Sequence, residues 1–108
     1  MKIKVMLVSK TENIINVLKS MITDEELVIT GDSPGGSAAL AIIENTSPDV
    51  VVMTLGSEDV DVLNLAERLV LNRPKTFVVL LADKLDAPTL QKAMAIGVHN
   101  VIEFPENP

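Results

Sequence analysis

The side chains in this chain that could do chemistry are few, and they do not gather into a reactive set. His99 is the only histidine and there is no cysteine, which removes thiolate metal sites and thiol nucleophiles. No second ligand or acid stands near His99 in sequence, so it reads as a structural or exposed histidine. Glu58, Asp59 and Asp61 could hold a cation. Capping of the helix that follows, and its dipole, explain these acids more simply. Gly31-Asp32-Ser33-Pro34-Gly35-Gly36-Ser37-Ala38 has the glycine spacing of a phosphate loop. It lacks the lysine and follows the second apolar run rather than the first, so it reads as a strand-to-helix turn. Ser9, Lys10 and Thr54 remain. Two hydroxyls and an amine are poor nucleophiles without an adjacent base. Beside Ala82 and Phe104 they could line a pocket for a small anion.

The elements that must position these residues alternate in type. Apolar runs at residues 3–8, 27–30, 50–55, 77–82 and 98–104 read as strands. Val5-Met6-Leu7-Val8, Val50-Val51-Val52-Met53 and Val78-Val79-Leu80-Leu81 are continuous rather than alternating, the pattern of strands buried on both faces. Between them lie helical patterns. Thr11 is placed to cap a helix whose core stripe is Ile14, Ile15, Leu18, Met21 and Ile22. Residues 37–44 turn Leu40 and Ile43 inward. Asp59 or Asp61 opens a third helix that Asn72-Arg73-Pro74 closes. Asp86 opens a fourth, with Pro88 in its first turn, Leu90, Ala93 and Met94 inward, and Gly97 at its end. The third helix is apolar on more than one stripe, through Val60, Val62, Leu63, Leu65, Ala66, Leu69, Val70 and Leu71. That predicts an outward contact patch as well as a core face.

The order βαβαβαβαβ with right-handed crossovers predicts an α/β, doubly wound, flavodoxin-like sheet of five parallel strands, order 2-1-3-4-5. In such sheets chemistry sits at the carboxyl ends of the strands. Those ends carry Ser9 and Lys10, Thr54, Ala82 and Phe104, with no carboxylate, histidine or cysteine among them. Four helices cover such a sheet unevenly, and a fifth would be expected near Glu106-Asn107-Pro108. Residues 1–108 are therefore read as one domain, either a fragment of a longer protein or a domain whose bare face a partner or second subunit covers.

Composition narrows the function classes. Of the 108 residues 47% are apolar, which supports a real core. The net charge of -6, with nine scattered basic residues, argues against a nucleic-acid partner. Two aromatic residues, Phe77 and Phe104, offer no stacking platform for bases. No apolar stretch approaches membrane-span length and the opening Met1-Lys2-Ile3-Lys4 is not a signal peptide. A soluble cytoplasmic protein without membrane, metal or cofactor is expected.

Three segments together resemble the receiver domains of two-component signalling: Pro48-Asp49-Val50-Val51-Val52-Met53-Thr54-Leu55, Gly31-Asp32-Ser33-Pro34-Gly35-Gly36, and Ala93-Met94-Ala95-Ile96-Gly97-Val98. Pro105 falls where receivers have the proline that follows their signature lysine. The resemblance implies a CheY-like fold and a phosphorylation site, and it identifies which positions depart. The acidic pair that holds Mg²⁺ in receivers falls at Ser9 and Lys10, the phosphoacceptor aspartate at Thr54, the hydroxyl residue at Ala82, the aromatic switch at Val101 and the lysine at Phe104. The chain thus resembles a degenerate receiver. Leu65-Ala66-Glu67-Arg68-Leu69-Val70-Leu71-Asn72-Arg73-Pro74 and Leu90-Gln91-Lys92-Ala93-Met94 are most like the atypical receivers at the N-terminus of pilus-assembly ATPases of the CpaE/TadZ type. Asp32 and Asp83 lie near the rim and read as solvated surface acids.

The expected function is a non-phosphorylatable, non-enzymatic module for protein interaction or localisation, through a protein partner or self-association as a homodimer. Leu85, Leu90, Gln91, Met94 and Val101 are its expected interaction face. Two alternatives stay open: a small-ligand sensor using the pocket at the strand ends, and a receiver that accepts phosphate on Thr54. The resemblance also implies a cis peptide at Phe104–Pro105.

Overall fold

The computed structural model describes residues 2–55 and 60–104. Its elements run β1 (Ile3–Val8), α1 (Glu12–Met21), β2 (Leu27–Ser33), α2 (Gly36–Thr46), β3 (Val50–Leu55), α3 (Val60–Asn72), β4 (Phe77–Ala82), α4 (Ala87–Ile96) and β5 (Asn100–Glu103). All neighbouring strands pair in parallel, in the order β2-β1-β3-β4-β5. This is the doubly wound sheet that the alternation predicts.

The continuous apolar strands are divided between two cores, because alternate side chains point to opposite faces. Met6, Val8, Val51, Met53, Val78 and Leu80 meet α2, α3 and α4. Val5, Leu7 and Leu81 meet Ile14, Ile15 and Leu18 of α1. Among the described residues four helices cover the sheet, three on one face and one on the other. The thinly covered face leaves Phe77 and Ile102 exposed at 44% and 45%.

Several local expectations change in the structure. The second strand does not stop at Thr30. It passes through an irregularity, where Val5 pairs with Ile29 but Met6 pairs with Gly31, and continues to Ser33. Gly31 is a strand residue here, and its lack of a side chain lets α2 come close. A Cβ at this position would stand 2.9 Å from Ile42 Cγ2 and 3.4 Å from Met6 Sδ. The turn is thus shortened to Pro34 and Gly35, and Gly35 takes a positive φ of 127°. The last strand is shorter than residues 98–104. Val98 instead closes α4, its N–H donating to the Ala93 carbonyl, behind Gly97 in the left-handed region.

Two methionines placed in core stripes are outside. Met21 is 61% exposed and Met94 is 68% exposed. For Met21 the reason is the seating of α1. Ile14, Ile15 and Leu18 face the core, Lys19 ion-pairs with Asp32 of β2 at 2.8 Å on one side of that face, and Val17 and Met21 stay exposed on the other. On α3 the inward stripe is Val62, Leu65, Ala66 and Leu69, and Leu63 and Val70 pack against it. Only Leu71 projects among these, at 71% exposure, so the expected broad patch on this helix is not formed by the described residues. Thr11 is the N-cap residue of α1, but its side chain makes no capping hydrogen bond. Asp86 does cap α4: its Oδ1 accepts from the Thr89 N–H at 2.9 Å. Glu58, Asp59 and the Phe104–Pro105 bond lie outside the described residues.

Candidate functional site

The register places Ser9 beside Thr54. Val8 pairs with Met53, so the next residue of each strand stands level at the carboxyl edge of the sheet. Both side chains are buried, Ser9 at 4% and Thr54 at 8% exposure. The Thr54 hydroxyl donates to Ser9 Oγ at 2.8 Å. Ser9 Oγ also accepts from the Thr11 N–H at 3.3 Å, and the Ser9 N–H donates to the Ser33 carbonyl at 3.0 Å. Ser33, 2% exposed, repeats the device on β2, its Oγ accepting from the Gly35 N–H at 3.3 Å. The strand ends are therefore tied to the following turns by hydroxyls. Each buried hydroxyl that finds a partner avoids a desolvation cost of about 1–3 kcal/mol.

The other expected site residues do not join this pair. Ala82 is fully buried, one row along β4 from Leu81, which pairs with Thr54. Phe104 follows β5, donates its N–H to the Ala82 carbonyl at 2.7 Å, and packs against the α1-side core. Lys10 points elsewhere, exposed, onto a cleft between α2 and α3. Of Ser9, Lys10, Thr54, Ala82 and Phe104, Ser9, Thr54 and Ala82 are buried and Lys10 lines a different cleft. Ser9 and Thr54 seal their own space, and the cleft shares only Lys10 with that set. Sequence reasoning missed the cleft. Its signal was Leu65 and Arg68, one helical step apart on α3, opposite Ser37 and Leu40 on α2.

These strand ends offer little to a divalent cation. Mg²⁺ takes hard oxygen anions. Ser9 and Thr54 supply two neutral hydroxyls bonded to each other, and Lys10 follows Ser9 in the chain. Among the described residues no group of three or more His, Asp or Glu side chains could hold a metal.

Of the expected interaction face, Leu90, Gln91 and Met94 are exposed on α4. Leu85 is half-buried, its N–H donating to Glu103 Oε2 at 3.1 Å. Val101 turns inward against the α4-side core and does not belong to the exposed face. Hydrogen bonding from Thr89, side chain first and backbone second, holds the Asp86 carboxyl below its ordinary value of 3.8. His99 is structural: its Nδ1 accepts from the Val78 N–H at 3.0 Å, and its ring stacks on Phe77 at 4.6 Å. Asp32 is taken by Lys19. Among the described residues no helix is long and apolar enough to cross a membrane.

Comparison with known proteins agrees with this architecture. Residues 5–108 match the family model of the response regulator receiver domain. The response regulator protein VraR of Staphylococcus aureus is 25% identical over 103 residues, covering 94% of this chain and 49% of that protein. A protein-glutamate methylesterase/protein-glutamine glutaminase of Anaeromyxobacter dehalogenans is 28% identical over 86 residues, covering 79% of this chain and 25% of that protein. The chain thus spans about half the length, or less, of these curated relatives. Among solved structures, the response regulator domain of Thermotoga maritima CheB superposes with a TM-score of 0.85 at 20% identity, covering 98% of this chain and 81% of that one. A chain of the CheX–CheY–BeF₃⁻–Mg²⁺ complex of Borrelia burgdorferi gives 0.84 at 15% identity, covering 97% and 80%.

Proposed function

The chain belongs to the response regulator receiver family, and on that premise we propose that it is a receiver outside the phosphorylation cycle that works as a protein-interaction and localisation module. The observation that carries this reading is the buried Thr54–Ser9 hydroxyl pair, 2.8 Å apart, where a receiver would present its phosphoacceptor and metal-binding carboxylates. Phosphoryl transfer to a carboxylate needs a cation to neutralise charge on the moving group and a group to hold the phosphoryl oxygens afterwards. Ser9 and Lys10 are a poor cation site, and Phe104 cannot pair with a phosphoryl oxygen. Thr54 is a weak nucleophile whose hydroxyl is already engaged.

Binding is the function left to such a receiver. Leu90 and Met94 stand one turn apart on the outer flank of α4, beside the edge strand β5, and Gln91 lies next to them. An uncharged, partly apolar flank suits a constitutive contact better than a switched one. The chemistry is tested by incubating the protein with Mg²⁺ and acetyl phosphate and reading intact mass. An unchanged mass is expected. A stoichiometric phosphoryl adduct, mapped to Thr54, would overturn the reading.

A narrower assignment rests on the segments 65–74 and 90–94, which are most like the atypical receivers of CpaE/TadZ-type pilus-assembly ATPases. It predicts a deviant-Walker ATPase domain encoded downstream and polar localisation of the whole protein. A downstream DNA-binding domain, or diffuse fluorescence of a tagged full-length protein, would contradict it.

A further inference from the structure

Between α2 and α3, beside the exit of β1, lies a cleft of about 700 Å³. It exists because the start of α2 is built of small residues. Ser37 and Ala38 cannot reach α3, and the helices close only where Ala39 and Ile43 meet the core. The apolar lining is aliphatic: Leu40 from one wall, Val62 and Leu65 from the other. No aromatic residue lines it, so it offers nothing for a nucleobase to stack on. The volume falls within the roughly 300–1,000 Å³ of pockets that enclose small organic ligands.

Two cations reach this space from different elements, Lys10 from the exit of β1 and Arg68 from α3. Arg68 is exposed and forms no hydrogen bond or ion pair with any described residue. Asn64, one turn before it, adds an amide on the same wall. Asp61 and Glu67 also line the cleft, so among the described residues two acids face two bases. A bare polyanion gains little from such a lining. A ligand with one compact anionic head and an apolar body fits both the exposed guanidinium and the aliphatic floor.

We propose that this cleft binds a small organic anion, a carboxylate or phosphate head against Arg68 with an aliphatic tail over Leu40, Val62 and Leu65. The site is separate from Ser9 and Thr54, and the proposal stands whether or not Thr54 accepts phosphate. It would give the receiver a chemical input in place of the phosphoryl group.

The test is a titration of the ¹⁵N-labelled protein, followed by amide spectra, with hexanoate, hexyl phosphate, acetate, inorganic phosphate and hexylamine. Saturable shifts at Lys10, Ser37 to Leu40 and Asn64 to Arg68 are expected with the six-carbon anions, and weak ones with acetate and inorganic phosphate. Tighter binding of hexanoate identifies the head as a carboxylate, and tighter binding of hexyl phosphate as a phosphate. Arg68→Gln, at an exposed position, should weaken binding about tenfold by loss of one charge-assisted contact. Ser37→Phe, also exposed, should fill the cleft and abolish the shifts while the rest of the spectrum is kept. The proposal fails if no probe gives saturable shifts, if hexylamine binds as well as hexanoate, or if both variants bind like the unaltered protein.

Discussion

The carboxyl edge of the sheet and the outer flank of α4 obey opposite rules. At the edge, polar side chains are buried and each of Ser9, Ser33 and Thr54 has a hydrogen-bond partner. On the flank, Leu90 and Met94 are exposed at 38% and 68%, with nothing to bury them among the described residues. Receivers as a family have their chemistry at the first place. Here the first place is closed by its own hydroxyls and the second is left open. The difference teaches that loss of carboxylates has not left a hole at the strand ends. The strand ends are joined by bonded hydroxyls, and the apolar side chains exposed on α4 are the surface that the proposed binding role would use.

The strongest way to break that contrast is to restore an acid. Thr54→Asp places a carboxylate at an 8%-exposed position beside Ser9. Without a cation to pair it, this should cost about 2–4 kcal/mol in urea unfolding and still give no phosphoryl uptake. A stable variant that takes up phosphate would mean that the joint is still an active site.

Ser9→Ala tests the joint from the other side. It strands the Thr54 hydroxyl and the Thr11 N–H, for an expected loss of about 1–3 kcal/mol. Ser9→Ala combined with Thr54→Val removes the hydroxyl–hydroxyl bond from both ends and should recover much of that loss, since replacing both partners is nearly neutral. With Thr54→Val alone completing the cycle, a double-variant loss equal to the sum of the two single losses would show that the pair contributes nothing as a pair.

On the flank the expected stability effect is smaller. Leu90→Ser with Met94→Ser should change unfolding free energy by about 1 kcal/mol, because Met94 is mostly in water, Leu90 keeps part of its surface buried and serine is the weaker helix former. If copies of the chain associate through this flank, the same variant should lose that association in sedimentation experiments. If the flank is a contact surface, function and stability separate there; if it is incidental, association is unchanged.

The smallest effect lies at the α4 cap. The Asp86 carboxyl titrates below its ordinary value of 3.8 because the folded state favours its charged form. A group with a lowered folded value adds stability above its unfolded value and loses it as pH falls through the folded one. Unfolding measured from pH 5 down to pH 2 should show a slight extra loss that Asp86→Asn abolishes.

The sequence was informative where chemistry is local and less so where it depends on packing. Continuous strands such as Val78-Val79-Leu80-Leu81 announce a sheet covered on both faces, and alternation with helices fixes strand order through crossover handedness. Ser9 and Thr54 could be placed at strand ends from run lengths alone. Their hydrogen bond could not, because it depends on β1–β3 register. Gly31 was read as a turn because glycine is common in turns. Its actual reason is the approach of Ile42, a contact between two elements that no local pattern encodes. Met21 and Met94 obey helical spacing yet stay outside, since spacing gives a stripe but not its seating. Arg68 carries no local signal of a site, because the opposite wall of its cleft comes from α2.

The account stands or falls on whether the joint between β1 and β3 can still bind a phosphoryl group. The direct measurement is an amide spectrum of the protein with saturating Mg²⁺ and beryllofluoride, which imitates a phosphoryl group on receivers that take it up. The account predicts unshifted resonances at Ser9, Lys10, Thr54, Ala82 and Phe104. Saturable, Mg²⁺-dependent shifts at Thr54 and its neighbours would contradict it.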